Sequence, residues 1–215
     1  MSTGANESET VATPAGDARI SWYRAPVPAR AVVAVGHGAG GGIEARDLRA
    51  LAAALPGRGY TVALVEQPWR VAGKKVAPAP KTLDVAWTAL WPALEKPGLP
   101  VVAGGRSAGA RVACRTAREL GAHAVLALSF PLHPPGRPEK SRADELAGAG
   151  VPTLVVQGGR DPFGGPGEFP DGTELREVAH GDHGFAVPKK AGVTEAESMD
   201  RLTAAVVEWL DGLFG

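Results

Sequence analysis

Short runs of consecutive apolar residues alternate along this chain with longer segments in which apolar residues recur every three or four positions. The short runs predict strands that are buried on both faces, since neither side of such a strand meets water. The longer segments predict helices that carry one apolar stripe. Strands are predicted at 19–23, 31–35, 60–65, 101–103, 124–128, 151–157 and 173–178, and helices at 43–55, 83–94, 107–120 and 198–213.

This alternation predicts an α/β fold, with one doubly wound, mostly parallel sheet and helices on both of its faces. The Pro- and Gly-containing stretch at 66–81 is predicted to be a loop, Thr82 to cap the helix that follows, and Pro92 to kink or shorten that helix. Residues 1–17 are small, polar and slightly acidic, which predicts a flexible tail before a single domain over 18–215.

Charge and cysteine content argue against several classes of function. The 215 residues include 23 Lys plus Arg and 23 Asp plus Glu, so no net charge favours nucleic acid or an anionic membrane as a partner. No apolar run approaches the ~20 residues of a membrane span, and no signal-peptide pattern is visible. The single Cys114 cannot form an internal disulfide, which fits a reducing compartment and predicts a cytoplasmic protein. The oligomeric state stays open.

The stretch Gly105-Arg106-Ser107-Ala108-Gly109 lies between a predicted strand and a predicted helix. In that setting a G-x-S-x-G pattern predicts a nucleophile elbow, a sharp turn that projects the Ser hydroxyl from a crowded backbone. The glycines fit because residues two before and two after the Ser lie against each other. Taken alone, the pattern could equally be a Gly-rich turn, because the chain has 29 Gly.

Three further loops follow predicted parallel strands and should open at the same rim of the sheet as the elbow. They are residues 36–42, 158–164 and 180–185. With the elbow they supply Ser, acid and His in the chain order of a serine hydrolase on this topology. We predict Ser107 as the nucleophile, His183 as the base that takes its proton, and Asp161 as the carboxylate that orients His183. Backbone N–H groups of Ala39 and Ala108 are predicted to form the oxyanion hole.

Each feature also has a plainer interpretation. The Gly-rich loop at 36–42 could cradle a phosphate, although it lacks the G-K-[ST] ending of such loops. Asp161 and the Pro after it could simply start a turn. Asp182 is a poor orienting group because adjacent side chains diverge, and it is interpreted as solvated. The His residues lack metal-ligand spacing with carboxylates or Cys114, so no metal and no other cofactor is expected.

Several residues in or beside the four loops are predicted to contact the substrate, which should be a small-molecule ester or acyl compound. They are His37, Gly38, Trp69, Arg70, Arg106, His133 and Phe163. The loop at 69–75 also carries Lys74 and Lys75. This loop could therefore favour acidic esters, or it could be only a solvated basic loop.

Four segments resemble small bacterial α/β-hydrolases related to dienelactone hydrolase, and the hydrolase-like domain of a nonspecific-lethal chromatin complex subunit. The segments are G-H-G-A-G-G at 36–41, G-R-S-A-G-A-R at 105–111, S-F-P-L-H-P-P-G at 129–136 and V-V-Q-G-G-R-D-P-F-G at 155–164. The family elbow often reads G-R-S-M-G-G-R, so Ala108 and Ala110 are departures. The resemblance implies an α/β-hydrolase fold, and the segment at 136–150 is too short for the helical lid that many such proteins insert there.

The sequence therefore predicts a serine hydrolase, with a carboxylic ester or lactone as substrate and an acyl-enzyme as intermediate. The alternative is a binding or scaffold protein that keeps the fold and is catalytically idle. The presence of Ser, His and Asp together favours the enzyme, because a scaffold has no need for all three.

Overall fold

The computed structural model describes residues 7–26 and 28–215 and arranges them around one sheet of eight strands. The strands are β1 (Glu7–Thr13), β2 (Gly16–Tyr23), β3 (Ala31–Gly36), β4 (Tyr60–Glu66), β5 (Val101–Arg106), β6 (Ala124–Leu128), β7 (Thr153–Gly158) and β8 (Leu175–Val178). Their order across the sheet is β1-β2-β4-β3-β5-β6-β7-β8. β2 is antiparallel to both neighbours, and the other pairs are parallel. The doubly wound, mostly parallel sheet predicted from the sequence is confirmed.

Helices cover both faces of this sheet, as predicted. They are α1 (Arg46–Ala54), α2 (Pro68–Val71), α3 (Pro80–Glu95), α4 (Ala108–Thr116), α5 (Ala143–Ala147) and α6 (Glu195–Phe214). Alternate residues of a strand point to opposite faces. On β3, Val32 and Ala34 pack in the layer that contains α3 and α4, whereas Val33 and Val35 pack with α1 and α6. The all-apolar run of β3 thus reflects a strand covered on both sides.

The predicted flexible tail is wrong for residues 7–17, because β1 and the turn after it form a hairpin with β2. β1 is the edge strand and its residues are alternately exposed and half-buried, so its sequence contains no apolar run. Val11 packs against the α3 layer, and Glu9 forms an ion pair with Lys96. The turn is fixed by Gly16, whose φ of 111° suits glycine. Residues 1–6 of the predicted tail lie outside the described residues.

The predicted loop at 66–81 and the helix after it also need correction. This stretch contains the short helix α2, and α3 begins at Pro80 rather than after a Thr82 cap. Pro favours the first position of a helix because its missing N–H needs no partner there. Pro92 lies inside α3, which continues for three residues to Glu95. α6 begins three residues earlier than predicted because Thr194 and Glu197 form a reciprocal capping box.

The carboxyl ends of β3, β5, β7 and β8 meet at one rim of the sheet, and the four Gly-rich loops follow them. The segment at 136–150 contains only a 3₁₀ turn and the five-residue α5, so it inserts no helical lid over this rim. Within the described residues, no helix combines the length and apolarity needed to cross a bilayer.

Candidate active site

Ser107 occupies the turn between β5 and α4 with a backbone φ of 53°, a conformation that L-residues rarely adopt. The turn is possible because the residues two before and two after Ser107 are glycines. A Cβ on Gly105 would lie 2.5 Å from the carbonyl carbon of Gly109, and one on Gly109 would lie 2.6 Å from the oxygen of Gly36. The local geometry is that of a nucleophile elbow.

His183 lies between Ser107 and Asp161. Its Nε2 is 2.9 Å from the Ser107 Oγ, and its Nδ1 is 2.8 Å from the Asp161 Oδ2. Because the carboxylate can only accept, the Nδ1–H donates to Asp161, and Nε2 is left to accept the Ser107 hydroxyl proton. The structure thus brings the predicted nucleophile, base and acid together in the hydrogen-bonded order that Ser-His-Asp chemistry needs.

The Asp161 carboxylate is held by the loop that follows β7. Its Oδ1 accepts from the Phe163 N–H at 2.9 Å, and its Oδ2 also accepts from the Gln157 Nε2 at 3.0 Å. Gln157 is fully buried and donates as well to the Gly164 carbonyl at 2.9 Å. Gln157 was not among the residues predicted from the sequence, although a polar residue near the end of an apolar strand, four before the acid, was a visible signal.

Asp182 is not the solvated group that the sequence suggested. Its Oδ1 accepts from the N–H groups of Gly184 and Ala186 at 2.8 and 2.9 Å, and its own N–H donates to the Ala186 carbonyl. These bonds close the loop that carries His183. No bond between Asp182 and the imidazole is present among the described contacts, so the side chain shapes the loop rather than orienting the ring.

The two predicted oxyanion donors, Ala39 and Ala108, line the same small recess beside the elbow. Ala108 is the first residue of α4, where backbone N–H groups have no partner within the helix. Ala39 follows Gly38, which packs tightly against the elbow, since a Cβ there would lie 3.3 Å from the Ser107 Cβ. The oxyanion role of both N–H groups stays a prediction.

His37 and Trp69 are buried side chains whose rings pack together in the wall of this recess. The His37 Nδ1–H donates to the Gly38 carbonyl at 2.9 Å, and Nε2 accepts from the Gln67 N–H at 3.1 Å. Burial lowers the pKa of His37, which keeps the ring neutral and both nitrogens engaged. The Trp69 ring packs edge-on against it, with centroids 5.4 Å apart. The apolar face of His37, rather than its nitrogens, is therefore what a substrate could meet.

Arg106 was predicted to contact substrate, and the structure gives it different partners. Its Nη2 donates to the His183 carbonyl at 2.6 Å, and its Nε lies 3.1 Å from the Asp47 Oδ2. Asp47 is fully buried at the start of α1. Burial raises the pKa of its carboxyl, and the Arg106 guanidinium offsets only part of that rise. The guanidinium links the elbow, α1 and the His183 loop, so Arg106 holds the backbone of the base.

We expect Arg106→Met to lower kcat by at least about tenfold with little change in KM, because a displaced imidazole loses alignment with Ser107. The variant should also lose about 3–5 kcal/mol of stability, since Asp47 is left buried and unpaired. Steady-state kinetics and urea unfolding measure the two effects separately.

A double variant, Arg106→Met with Asp47→Leu, is the control for that experiment. It removes the unpaired charge, so stability should recover while kcat stays low. If kcat recovered together with stability, Arg106 would have only a structural role. Arg106→Lys keeps a hydrogen-bond donor, so its kcat should lie between that of Arg106→Met and that of the wild type.

The other predicted contact residues divide into two groups. The Phe163 ring packs on the His183 ring with centroids 4.3 Å apart, so it borders the site. Arg70 instead pairs with Glu44 at 3.2 Å on the surface. His133 is buried in the loop after β6, where its Nδ1 and Nε2 face the Pro134 carbonyl and the Glu168 carboxylate, both at 2.9 Å. His133 therefore supports the 163–168 segment, and its nitrogens are not free for a substrate.

The His133–Glu168 pair should make stability depend on pH. The Pro134 carbonyl and the Glu168 carboxylate raise the pKa of His133 above its usual 6.5. Because the pKa of His133 is higher in the folded than in the unfolded protein, its protonation stabilises the fold. This stabilisation is complete at a pH below the unfolded-state pKa and is lost as the pH rises through the folded-state pKa. We expect the melting temperature of the wild type to exceed that of His133→Gln by about 2 °C at pH 6, and the difference to vanish by pH 9. A constant difference across this range, measured by calorimetry, would contradict the pairing.

The fold is that of an α/β hydrolase, and Ser107, His183 and Asp161 are hydrogen-bonded in the order that serine hydrolysis requires. Comparison with known families agrees, because the alpha/beta hydrolase domain family matches residues 29–211. The chain belongs to this family. Comparison with curated protein sequences gives no match.

Solved structures show the same fold at low sequence identity. A lidless α/β serine hydrolase from Xanthomonas campestris has a TM-score of 0.69 and 18% identity, over 97% of this chain and 96% of that one. A dienelactone hydrolase from Anabaena variabilis has a TM-score of 0.72 and 18% identity, over 97% of this chain and 98% of its own. Est1E from Butyrivibrio proteoclasticus has a TM-score of 0.70 and 14% identity, over 96% of this chain and 98% of its own. These similarities support the lidless α/β-hydrolase fold.

Proposed function

We propose that the protein hydrolyses a carboxylic ester, either a small acyl ester or a lactone, through an acyl-enzyme on Ser107. The observation that carries this proposal is the pair of hydrogen bonds at His183, 2.9 Å to Ser107 and 2.8 Å to Asp161. Structural neighbours named as an esterase domain and as a dienelactone hydrolase support the same class of reaction.

In the first half of the proposed reaction, the Ser107 Oγ attacks the ester carbonyl and its proton moves to the His183 Nε2. Asp161 stabilises the imidazolium that forms. The oxyanion of the tetrahedral intermediate is bound by the Ala39 and Ala108 N–H groups, each worth on the order of 3 kcal/mol. When the intermediate collapses, the C–O bond to the alcohol breaks and the alkoxide oxygen takes the proton from Nε2.

In the second half, a water replaces the alcohol beside His183. Nε2 takes one water proton while the water oxygen attacks the acyl carbonyl, and the second intermediate expels the Ser107 oxygen, which regains its proton. The acid is released and the starting state is restored. Because no lid is inserted at 136–150, no lid has to open before water reaches the acyl-enzyme.

The experiment that tests this proposal is labelling with a fluorophosphonate probe, followed by peptide mass spectrometry. Such probes phosphonylate an activated Ser and leave unactivated hydroxyls unmodified. We expect one modified peptide, which contains Ser107. A protein that stays unlabelled while folded would instead support the catalytically idle scaffold. The resemblance to a nonspecific-lethal complex subunit stays a prediction.

A further inference from the structure

A cleft of about 540 Å³ lies on the α3 side of the sheet, next to the candidate active site. Its walls come from the β1–β2 turn, from α2 and the segment after it, and from the first turns of α3. Most of the lining is apolar, with Pro68, Val71, Val76 and Pro78 among its side chains, and Lys74 and Asp17 supply its charges. Val76 is 80% exposed, which is unusual for a large apolar residue.

A much smaller recess of about 10 Å³ lies between this cleft and the elbow. Its inner wall includes Ala39 and Ala108, the predicted oxyanion donors. Its outer wall consists of Gln67, Trp69, Ala77 and Leu83, and the same four residues line the large cleft. The recess and the cleft are therefore neighbours that share one partition.

The two ends of an ester must lie on different sides of Ser107. The leaving oxygen receives its proton from the His183 Nε2, so the alcohol has to face the His183 loop. Among the described residues, those that line the recess or the cleft include none from the His183 loop. The recess is lined instead by the loop after β3 and the start of α4, with His37 and Ala108 among its residues. The carbonyl oxygen is directed at the Ala39 and Ala108 N–H groups, so the acyl chain is the group left to extend from Ser107 toward the outer wall of the recess.

We propose that the cleft binds the apolar acyl chain of the substrate, and that Trp69, Ala77 and Leu83 control its passage from Ser107. This inference rests on the proposed function and narrows the substrate to esters of medium-length apolar acids. A volume of about 540 Å³ falls within the usual range of small-molecule sites, and the apolar lining suits a hydrocarbon chain. Trp69 is buried and held by His37, whereas Ala77 belongs to a segment without helix or strand.

The test compares kcat/KM for p-nitrophenyl acetate and p-nitrophenyl octanoate in three variants. Thr82→Trp puts a bulky group on the cleft wall and should lower the octanoate-to-acetate ratio at least about tenfold. Leu83→Ala widens the partition and should raise the ratio. Val85→Trp is the matched control, because Val85 lies on the same helix and does not line the cleft, so its ratio should stay within about twofold.

Calorimetric titration with octanoate provides a second measurement that needs no catalysis. Octanoate should bind the wild type and Val85→Trp, and bind Thr82→Trp at least about tenfold more weakly. Binding without any ester turnover would contradict the proposed hydrolysis and leave the cleft assignment standing. Ester turnover whose chain-length ratio responds to neither Thr82→Trp nor Leu83→Ala, or an absence of octanoate binding, would overturn the cleft assignment itself.

Discussion

Replacing Ser107 by Ala is expected to abolish fluorophosphonate labelling and to lower kcat for ester hydrolysis at least about 1,000-fold. The change removes the hydroxyl that donates to the His183 Nε2 in this arrangement. The variant should melt within about 2 °C of the wild type. Ala tolerates the positive φ of 53° no better and no worse than Ser, so the strain of the elbow is unchanged.

Ser129 offers a matched control for this experiment. Like Ser107 it directly follows a parallel strand and has a positive φ, in this case 44°. It is fully buried, however, so a probe cannot reach its hydroxyl. Ser129→Ala should keep both labelling and turnover. Labelling that persists on another serine of the Ser107→Ala protein would show that the nucleophile has been assigned wrongly.

The sequence could predict the sheet and the three central residues because both depend on strong local signals. Short β-branched runs such as Val32 to Val35 favour strands covered on both faces, and parallel strands bring their carboxyl ends to one rim. Ser107, Asp161 and His183 each lie in a loop that follows a parallel strand of this sheet. Their convergence therefore follows from topology, without knowledge of side-chain packing.

Features that depend on side-chain direction or on weak patterns were predicted less well. β1 is an exposed edge strand whose polar residues look like those of a tail. Arg106 stands next to the nucleophile, but its sequence position does not show that the guanidinium turns toward Asp47 and the His183 carbonyl. His133 was predicted to contact the substrate, whereas in the structure its Nε2 lies 2.9 Å from the Glu168 carboxylate.

Asp161→Asn is expected to lower kcat at least about 100-fold, since loss of the equivalent carboxylate costs about 10⁴-fold in a serine protease. An Asn amide would place its NH₂ either against the Phe163 N–H or against the donors of Gln157 and His183. The first orientation creates one contact between two donors, and the second creates two. In both, the negative charge that stabilises the imidazolium is lost.

Asp182→Asn is the matched comparison, since it makes the same chemical change one residue away from His183. The amide oxygen of the new side chain can still accept from the Gly184 and Ala186 N–H groups, so the loop should keep its shape and kcat should stay within about tenfold of the wild type. Kinetics of both variants on p-nitrophenyl acetate, at pH 8, decide between the two acids. The opposite ranking would move the orienting role to Asp182. Two mild effects would show that the 2.8 Å bond between Asp161 and His183 does not serve catalysis.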